Sequence, residues 1–238
     1  MQTATKQFQV RPGKQRGTIE IGWLHSFHSF SFGRYYDPNN MGYRSLRVIN
    51  DDIVEPRGGF GEHGHDNMEI ITWVIKGTLR HADSTGTDGE IRPGEVQTMT
   101  AGRGIRHSEI NPSSSEAVHL LQIWIEPNQL NLAPSYSQKA FDKSDRDGKL
   151  QVLVSPDGRA SSLVIHQDAI LSVAELSEGK STSISLDTGR YGYLHVAFGS
   201  LRVGDSTLTS GDALTFAGPA SLDIVASEES QLLFFELA

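Results

Sequence analysis

Residues 59–81 read GFGEHGHDNMEIITWVIKGTLRH, and this stretch indicates a β-rich fold. Its segment 69–76 is rich in Ile, Thr, Val and Trp, and Gly77 follows as a turn residue would. A short apolar run that ends at a glycine favours a β-strand, because a helix would need a longer apolar stripe with a period of 3.6 residues. The same stretch carries His63 and His65, two residues apart.

The pattern of short apolar runs continues through the whole chain of 238 residues, which contains 24 Gly and 9 Pro. No segment has the periodicity of a long helix, so we predict an all-β fold, a sandwich or a barrel. The run Val118–Ile125 is apolar on both alternating faces, as expected of a central strand. The predicted strands are 45–50, 69–76, 78–83, 96–100, 118–125, 150–154, 162–165, 181–186, 191–198, 201–203, 206–209, 213–217, 222–226 and 231–237.

The length of the chain allows two cores of ordinary size. Apolar residues become sparse over residues 127–149, which read as a polar connection with a short anchored piece around Tyr136 and Phe141. We therefore predict two domains, residues 1–138 and residues 139–238.

Composition excludes several classes of function. The chain has no cysteine, so disulfides, thiolate ligands and cysteine nucleophiles are excluded, and any metal must bind histidines and carboxylates. The net charge of −8 argues against direct binding of nucleic acid or anionic membranes. No signal peptide and no apolar run of about 18–20 residues is evident, which predicts a cytoplasmic protein.

Two histidine motifs suggest a metal site. His63 and His65 would lie on one face of a strand, and His107 and Glu109, in the segment 100–112, have the same spacing. If the two strands are neighbours, three imidazoles and one carboxylate converge. These donors suit Fe, Mn, Co, Ni, Cu or Zn, whereas Ca and Mg prefer oxygen ligands alone.

The residues alone leave the carboxylate ligand open. Glu69 lies on the same side of its strand as His63 and His65, so it competes with Glu109 for this role. A lone His-x-His pair is more often a surface or core feature, but two such motifs after glycine-rich loops favour a metal site. The remaining histidines are interpreted as structural or exposed: His25, His28, His81, His119, His166 and His195.

Longer segments resemble the pirin family of the cupin superfamily. The similarity rests on YYDPNNMGYRSLRVINDDIVEP (35–56), on the stretch 59–81 quoted above and on TAGRGIRHSEINPS (100–113). It is close over residues 20–127 and looser beyond. The resemblance implies two cupin barrels in tandem, of the double-stranded β-helix type, with the metal in the first.

The family's metal ligands fall here on His63, His65, His107 and Glu109, so the resemblance favours Glu109 over Glu69. It also implies one divalent transition-metal ion per chain, iron first, with Mn, Co, Ni, Cu and Zn left open. The second half should lack a metal site, and its apolar LTF and LLFF segments should fill a core with side chains.

The resemblance implies a quercetin 2,3-dioxygenase, in which a flavonol and dioxygen are the substrates and Glu109 is the catalytic base. Aromatic side chains that could contact a planar ligand are Phe30, Phe32, Tyr36 and Phe60. The alternative is a non-enzymatic regulatory protein that senses metal or redox state and binds a protein partner, as eukaryotic pirins do. An aromatic-lined pocket would favour the enzyme, and a flat charged surface beside the metal would favour the regulator.

Overall fold

The computed structural model describes residues 8–238, and residues 1–7 of the predicted first domain lie outside the described residues. Nearly every element is a strand, which confirms the all-β prediction. Short 3-10 helices occupy Gly13–Gln15, Lys143–Asp145 and Arg159–Ser161. None of the helices in this described part has the length and apolar composition needed to cross a membrane.

The strands, in chain order, are β1 (Phe8–Arg11), β2 (Gly17–Ile21), β3 (Leu24–His28), β4 (Leu46–Val54), β5 (Gly59–His65), β6 (Glu69–Lys76), β7 (Leu79–Asp83), β8 (Asp88–Ile91), β9 (Glu95–Thr100), β10 (Ile105–Ile110), β11 (Val118–Ile125), β12 (Ser135–Ala140), β13 (Gln151–Ser155), β14 (Leu163–Val164), β15 (Ala169–Leu176), β16 (Ser181–Leu186), β17 (Tyr191–Phe198), β18 (Ser200–Val203), β19 (Ser206–Thr209), β20 (Ala213–Ala217), β21 (Ala220–Ala226) and β22 (Ser230–Leu237).

The described residues form two compact units. The first unit contains Arg16–Phe141 and Leu163–Gln167. The second contains Asp142–Ser162 and Asp168–Ala238, together with the described residues up to Gln15.

These units differ from the predicted domains, 1–138 and 139–238, in three segments: the described residues up to Gln15, residues 139–141 and Leu163–Gln167. Strand β1 pairs antiparallel with β20, from Phe8 opposite Phe216 to Arg11 opposite Ala213, and so belongs to the second unit. A pairing between residues about 200 positions apart leaves no local signal in the sequence. The boundary near residue 138 stays a prediction of domain organisation.

The first unit contains two antiparallel sheets that carry the candidate site. The larger has the order β12-β9-β6-β11-β4-β3-β2, and the smaller has the order β5-β10-β7-β8. Strand β11 is the middle strand of the larger sheet, as its apolar faces predicted. A buried cluster joins the two sheets, with Val54, Val74 and Leu120 from the larger packed against Leu79 and Ile91 from the smaller.

The second unit is filled by side chains, as its apolar segments predicted. Strands β1, β20, β17, β22, β15 and β13 pair in this order, and a second sheet has the order β16-β21-β18-β19. Its core includes Leu214, Phe216, Leu232 and Phe234, all buried. Burial of such large apolar side chains is the main stabilising contribution in this unit.

Six predicted strands match the structure at both ends: residues 69–76, 118–125, 181–186, 191–198, 206–209 and 213–217. The strand prediction was incomplete, because β1, β2, β3, β5, β8, β10, β12 and β15 were not included. In β3 and β5, Ser, His, Gly and Glu replace the β-branched residues that identify a strand.

Candidate metal centre

Strands β5 and β10 position the histidine motifs side by side. They pair antiparallel, with His107 opposite His63 and Ile105 opposite His65. Along β10, Ile105, His107 and Glu109 are buried and their neighbours are not, so the spacing of two places His107 and Glu109 on one face. The register of β10 against β5 shifts between His107 and Glu109, and such bulges commonly redirect side chains at functional sites.

The three imidazoles meet at one point. The ring centroids of His63 and His107 are 4.4 Å apart, those of His63 and His65 are 4.7 Å apart, and those of His65 and His107 are 4.9 Å apart. One ring nitrogen of each lies within 4.8 Å of those of the other two. This spacing allows the three nitrogens to bind one ion.

The imidazoles are electronically suited to a metal. Burial, together with the neighbouring imidazoles, lowers the pKa of His65 to about 4 and that of His107 to about 3. Both rings are therefore neutral at physiological pH, and a neutral ring offers the lone pair that a metal needs. His63 Nδ1 lies 2.8 Å from the Gly61 carbonyl oxygen and donates to it, which leaves Nε2 of His63 available.

A hydrogen-bonded chain behind His107 fixes its ring. His81 Nε2 lies 3.0 Å from Asp83 Oδ2, and His81 Nδ1 lies 3.5 Å from His107 Nδ1. If His81 donates to Asp83, its Nδ1 accepts from His107 Nδ1, and Nε2 of His107 keeps its lone pair. That Nε2 atom is buried and has no hydrogen-bond partner among residues 8–238. His81 is therefore a buried residue with a hydrogen-bond partner at each ring nitrogen.

Glu109 is buried beside this cluster. Gln122 Nε2 donates to Glu109 Oε2 over 2.7 Å, and the Thr72 hydroxyl lies 3.4 Å from Oε1. Burial raises the pKa of Glu109 to about 7, although both hydrogen bonds act in the opposite direction. A carboxylate oxygen of Glu109 and one ring nitrogen each of His81 and His107 lie within 4.8 Å of one another, so His107 links Glu109 to the imidazole cluster.

Glu69, the competing carboxylate, has other partners. The Thr100 hydroxyl donates to Glu69 Oε2 over 2.9 Å, and His166 Nδ1 lies 3.3 Å from Oε1. Glu69 belongs to neither of the two groups of ligand-type side chains found among the described residues. The geometry therefore supports Glu109 as the carboxylate ligand, which stays a prediction.

A cavity of about 560 Å³ opens beside the cluster, and His63, His65, His107 and Glu109 all line it. Of the four predicted aromatic contacts, Phe32 and Phe60 line the cavity. Phe30 is buried but does not line it, and Tyr36 is 72% exposed.

Two further aromatic residues, Trp23 and Trp124, complete the apolar wall. The ring of Trp23 packs edge-on against Phe60 at 5.1 Å, and that of Trp124 packs edge-on against Phe32 at 5.2 Å. Trp124 also contacts the His65 ring edge-on, with centroids 4.9 Å apart. No local signal distinguished these tryptophans from core residues.

The donor set fits a divalent transition metal. Three neutral imidazoles and one buried carboxylate are the ligand types of Fe, Mn, Co, Ni, Cu and Zn centres. The unpaired Nε2 of His107 independently indicates a missing partner, because a buried polar atom that makes no hydrogen bond destabilises the folded protein. On an ion that accepts six ligands, four protein ligands leave two positions for other molecules.

The chain is similar to known proteins along most of its length. The family model described as "Pirin" matches residues 9–125, and the model described as "Quercetinase C-terminal cupin domain" matches residues 152–237. A protein named quercetin 2,3-dioxygenase from Escherichia coli K12 is 42% identical over 228 residues, which cover 96% of this chain and 97% of that protein.

Two solved structures are also similar. The crystal structure of YhhW from Escherichia coli has a TM-score of 0.92 and 41% identity, and the match covers 97% of each chain. A structure described as bacterial pirin YhhW in complex with nickel(II), from the same organism, has a TM-score of 0.90 and 40% identity, covering 97% of this chain and 98% of the other.

Proposed function

The chain belongs to the pirin family, and we propose that it is a metal-dependent dioxygenase that cleaves flavonols such as quercetin with dioxygen. The same matches confirm the predicted tandem of two cupin domains. The proposal extends this family membership to a reaction, a substrate class and a set of ligands.

The observation that carries the proposal is the cavity beside the histidine cluster. Its apolar lining includes Trp23, Phe32, Phe60 and Trp124, which offer flat faces and edges to a planar ligand. A cavity of this size is in the range of small-molecule sites, and an aromatic wall combined with polar groups that can orient a ligand is typical of them. This is the feature expected of the enzyme, whereas a regulator would present a flat charged surface next to the metal.

His63, His65, His107 and Glu109 would hold the ion. A divalent transition metal bound there would supply Lewis acidity, which lowers the pKa of a substrate hydroxyl. Iron is the expected metal, and the donor set also accommodates Mn, Co, Ni, Cu and Zn.

Glu109 is the proposed base for the 3-hydroxyl of the flavonol. In the metal-free site burial raises the pKa of Glu109 to about 7, and a carboxylate placed beside the substrate hydroxyl can accept its proton. Gln122 holds Oε2 over 2.7 Å, while Oε1 has only the longer contact of 3.4 Å from Thr72. Oε1 is therefore the oxygen better placed to exchange a proton.

Loss of the 3-hydroxyl proton makes the flavonol ring electron-rich, so that dioxygen attacks it. In the overall reaction one flavonol and one dioxygen give one depside and one carbon monoxide. The aromatic wall would orient the ring system and limit access of water, which favours reaction with dioxygen over side reactions.

The test is an anaerobic titration of metal-loaded protein with quercetin, followed by admission of oxygen. The near-visible absorption band of quercetin should shift on binding without loss of the compound, because the 3-hydroxyl ionises before oxygen arrives. Oxygen should then bleach the band. A metal-loaded sample that neither shifts nor bleaches the band would contradict the proposal and favour the regulatory alternative.

Glu69→Gln and Glu109→Gln provide a matched pair for this titration, since both remove a buried carboxylate from the first unit. We expect Glu109→Gln to abolish both the shift and the bleaching and Glu69→Gln to retain them. The reverse result would assign the carboxylate role to Glu69.

A further inference from the structure

A row of polar side chains crosses the inner face of the larger sheet of the first unit and lines the same cavity. Strand register places His28 of β3 opposite Asn50 of β4, and Asn50 opposite Gln122 of β11. All three are at least nine-tenths buried, and all three line the cavity. We call His28, Asn50 and Gln122 the polar row.

Each member of the polar row has a buried polar atom without a hydrogen-bond partner among the described residues. These atoms are His28 Nδ1, Asn50 Oδ1 and Gln122 Oε1. Buried polar atoms are normally paired, and leaving one unpaired is unfavourable. Three such atoms lie on adjacent strands, in side chains that line one cavity, and together they indicate a place where a polar ligand would supply the missing hydrogen bonds.

The chemistry of these atoms defines the ligand. The two amide oxygens can only accept hydrogen bonds, and His28 Nδ1 accepts or donates according to its tautomer. Hydroxyl groups, which donate hydrogen bonds, would satisfy the unpaired atoms of the row. The aromatic side chains that line the same cavity favour a planar ring system. Polyhydroxylated aromatic compounds combine both properties.

The polar row is connected to the candidate metal centre at one end. Gln122 uses its Nε2 to hold Glu109, so only its Oε1 remains for a ligand. His28 lies two strands away, roughly 10 Å at the usual spacing of strands in a sheet. A ligand that is anchored near Glu109 and hydrogen-bonded along the whole row would therefore be roughly 10 Å long, which is about the length of two linked ring systems.

We infer that the polar row is a specificity subsite that binds hydroxyl groups of the substrate other than the one at the metal. The inference rests on the proposed function and goes beyond it. It predicts that the protein binds polyhydroxylated flavonols more tightly than 3-hydroxyflavone, which has only the anchoring hydroxyl. A site that hydrogen-bonds a substrate hydroxyl discriminates strongly against the analogue that lacks it.

The test compares dissociation constants of quercetin and 3-hydroxyflavone for metal-loaded protein without oxygen. Wild type should bind quercetin at least about tenfold more tightly, the factor expected from one or two good hydrogen bonds. His28→Phe and Asn50→Leu remove the polar atoms with little change in volume, and each should bring the ratio of the two constants closer to one.

His25→Phe is the matched control. His25 lies on the same strand as His28 but on the opposite face, where its Nδ1 pairs with Glu20 Oε1 at 2.8 Å. The ratio in His25→Phe should equal that of wild type. Comparison of the two ligands on wild type needs no variant, so it remains decisive if a substitution in the row impairs folding.

Two results would overturn the subsite proposal even if quercetin is consumed once oxygen is admitted. The first is equal dissociation constants of the two flavonols for wild type. The second is a ratio of these constants that is unchanged in both His28→Phe and Asn50→Leu. A ratio that behaves as expected, without consumption of quercetin in oxygen, would support the subsite and contradict the dioxygenase proposal. Binding of neither flavonol would overturn both.

Discussion

Replacement of Asp52 with Asn removes an ionisable group that the first unit buries almost completely. The side chain is 2% exposed and accepts a hydrogen bond from the Ser26 hydroxyl. Burial raises the pKa of Asp52 to about 7, and the nearby carboxylates of Asp51 and Glu109 act in the same direction. The amide oxygen of Asn can keep the hydrogen bond from Ser26, so the substitution changes the charge with little change in shape.

The expected effect follows from the difference in pKa between the folded and unfolded chain. A carboxyl group whose pKa is raised on folding stabilises fully below its unfolded pKa of 3.8, and this contribution is lost as the pH rises to about 7. At about 1.4 kcal/mol per unit, the whole loss is about 4 kcal/mol, and about 3 kcal/mol of it falls between pH 5 and pH 8. An Asn at this position has no such pH dependence.

The three tryptophans of the chain, Trp23, Trp73 and Trp124, all lie in the first unit. Tryptophan fluorescence during urea unfolding of the metal-free protein therefore follows this unit. We expect the free energy of unfolding of Asp52→Asn, relative to that of wild type, to be about 3 kcal/mol higher at pH 8 than at pH 5, so that the variant is relatively more stable at pH 8.

Asp51→Asn is the matched control at the adjacent position. Burial alone would raise the pKa of Asp51, but hydrogen bonds from His119 and Arg16, at 2.6 and 2.9 Å, outweigh it and lower the pKa to about 2. This stabilisation is present above pH 3.8 and is lost only as the pH falls toward 2. Asp51→Asn should therefore cost about 2 kcal/mol at pH 5. Its effect should change less with pH than that of Asp52→Asn, because the charge of Asp51 accounts for only part of the raised pKa of Asp52. If the effect of Asp52→Asn were the same at pH 5 and pH 8, the reasoning about its buried carboxyl would be refuted.

Three further predictions concern the metal. Glu109→Gln should reduce the metal bound after purification and Glu69→Gln should reduce it less, as measured by elemental analysis, and the opposite order would show that Glu69 is the ligand. His81→Phe should weaken metal affinity by about 10–100-fold in a chelator competition, because His107 loses the partner that orients its ring; unchanged affinity would remove His81 from this role. Elemental analysis of wild type should find one ion per chain, and two ions would place a second site that the sequence does not predict.

The strands and the histidine cluster could be predicted because both leave a local signal. In residues 118–125 apolar side chains on both alternating faces mark a strand covered on both sides, and this strand is the centre of its sheet. The two-residue spacing of His63 and His65, and of His107 and Glu109, is the period of a strand, so their shared faces follow directly.

The polar row and the support of His107 could not be predicted, because they depend on the register between distant strands. His28, Asn50 and Gln122 become neighbours only when β3, β4 and β11 pair in one register. His81 and Asp83 showed the same two-residue spacing as the other pairs and could have been considered together. Their role became evident only with β7 placed against β10.

We propose that the cluster of His63, His65, His107 and Glu109 supports the oxidative cleavage of flavonols. The most direct measurement is the amount of carbon monoxide released per quercetin consumed by metal-loaded wild type in a closed, oxygenated vessel. We predict one carbon monoxide per quercetin for wild type and none above background for Glu109→Gln. Consumption of quercetin without carbon monoxide, or equal release by Glu109→Gln, would contradict the claim.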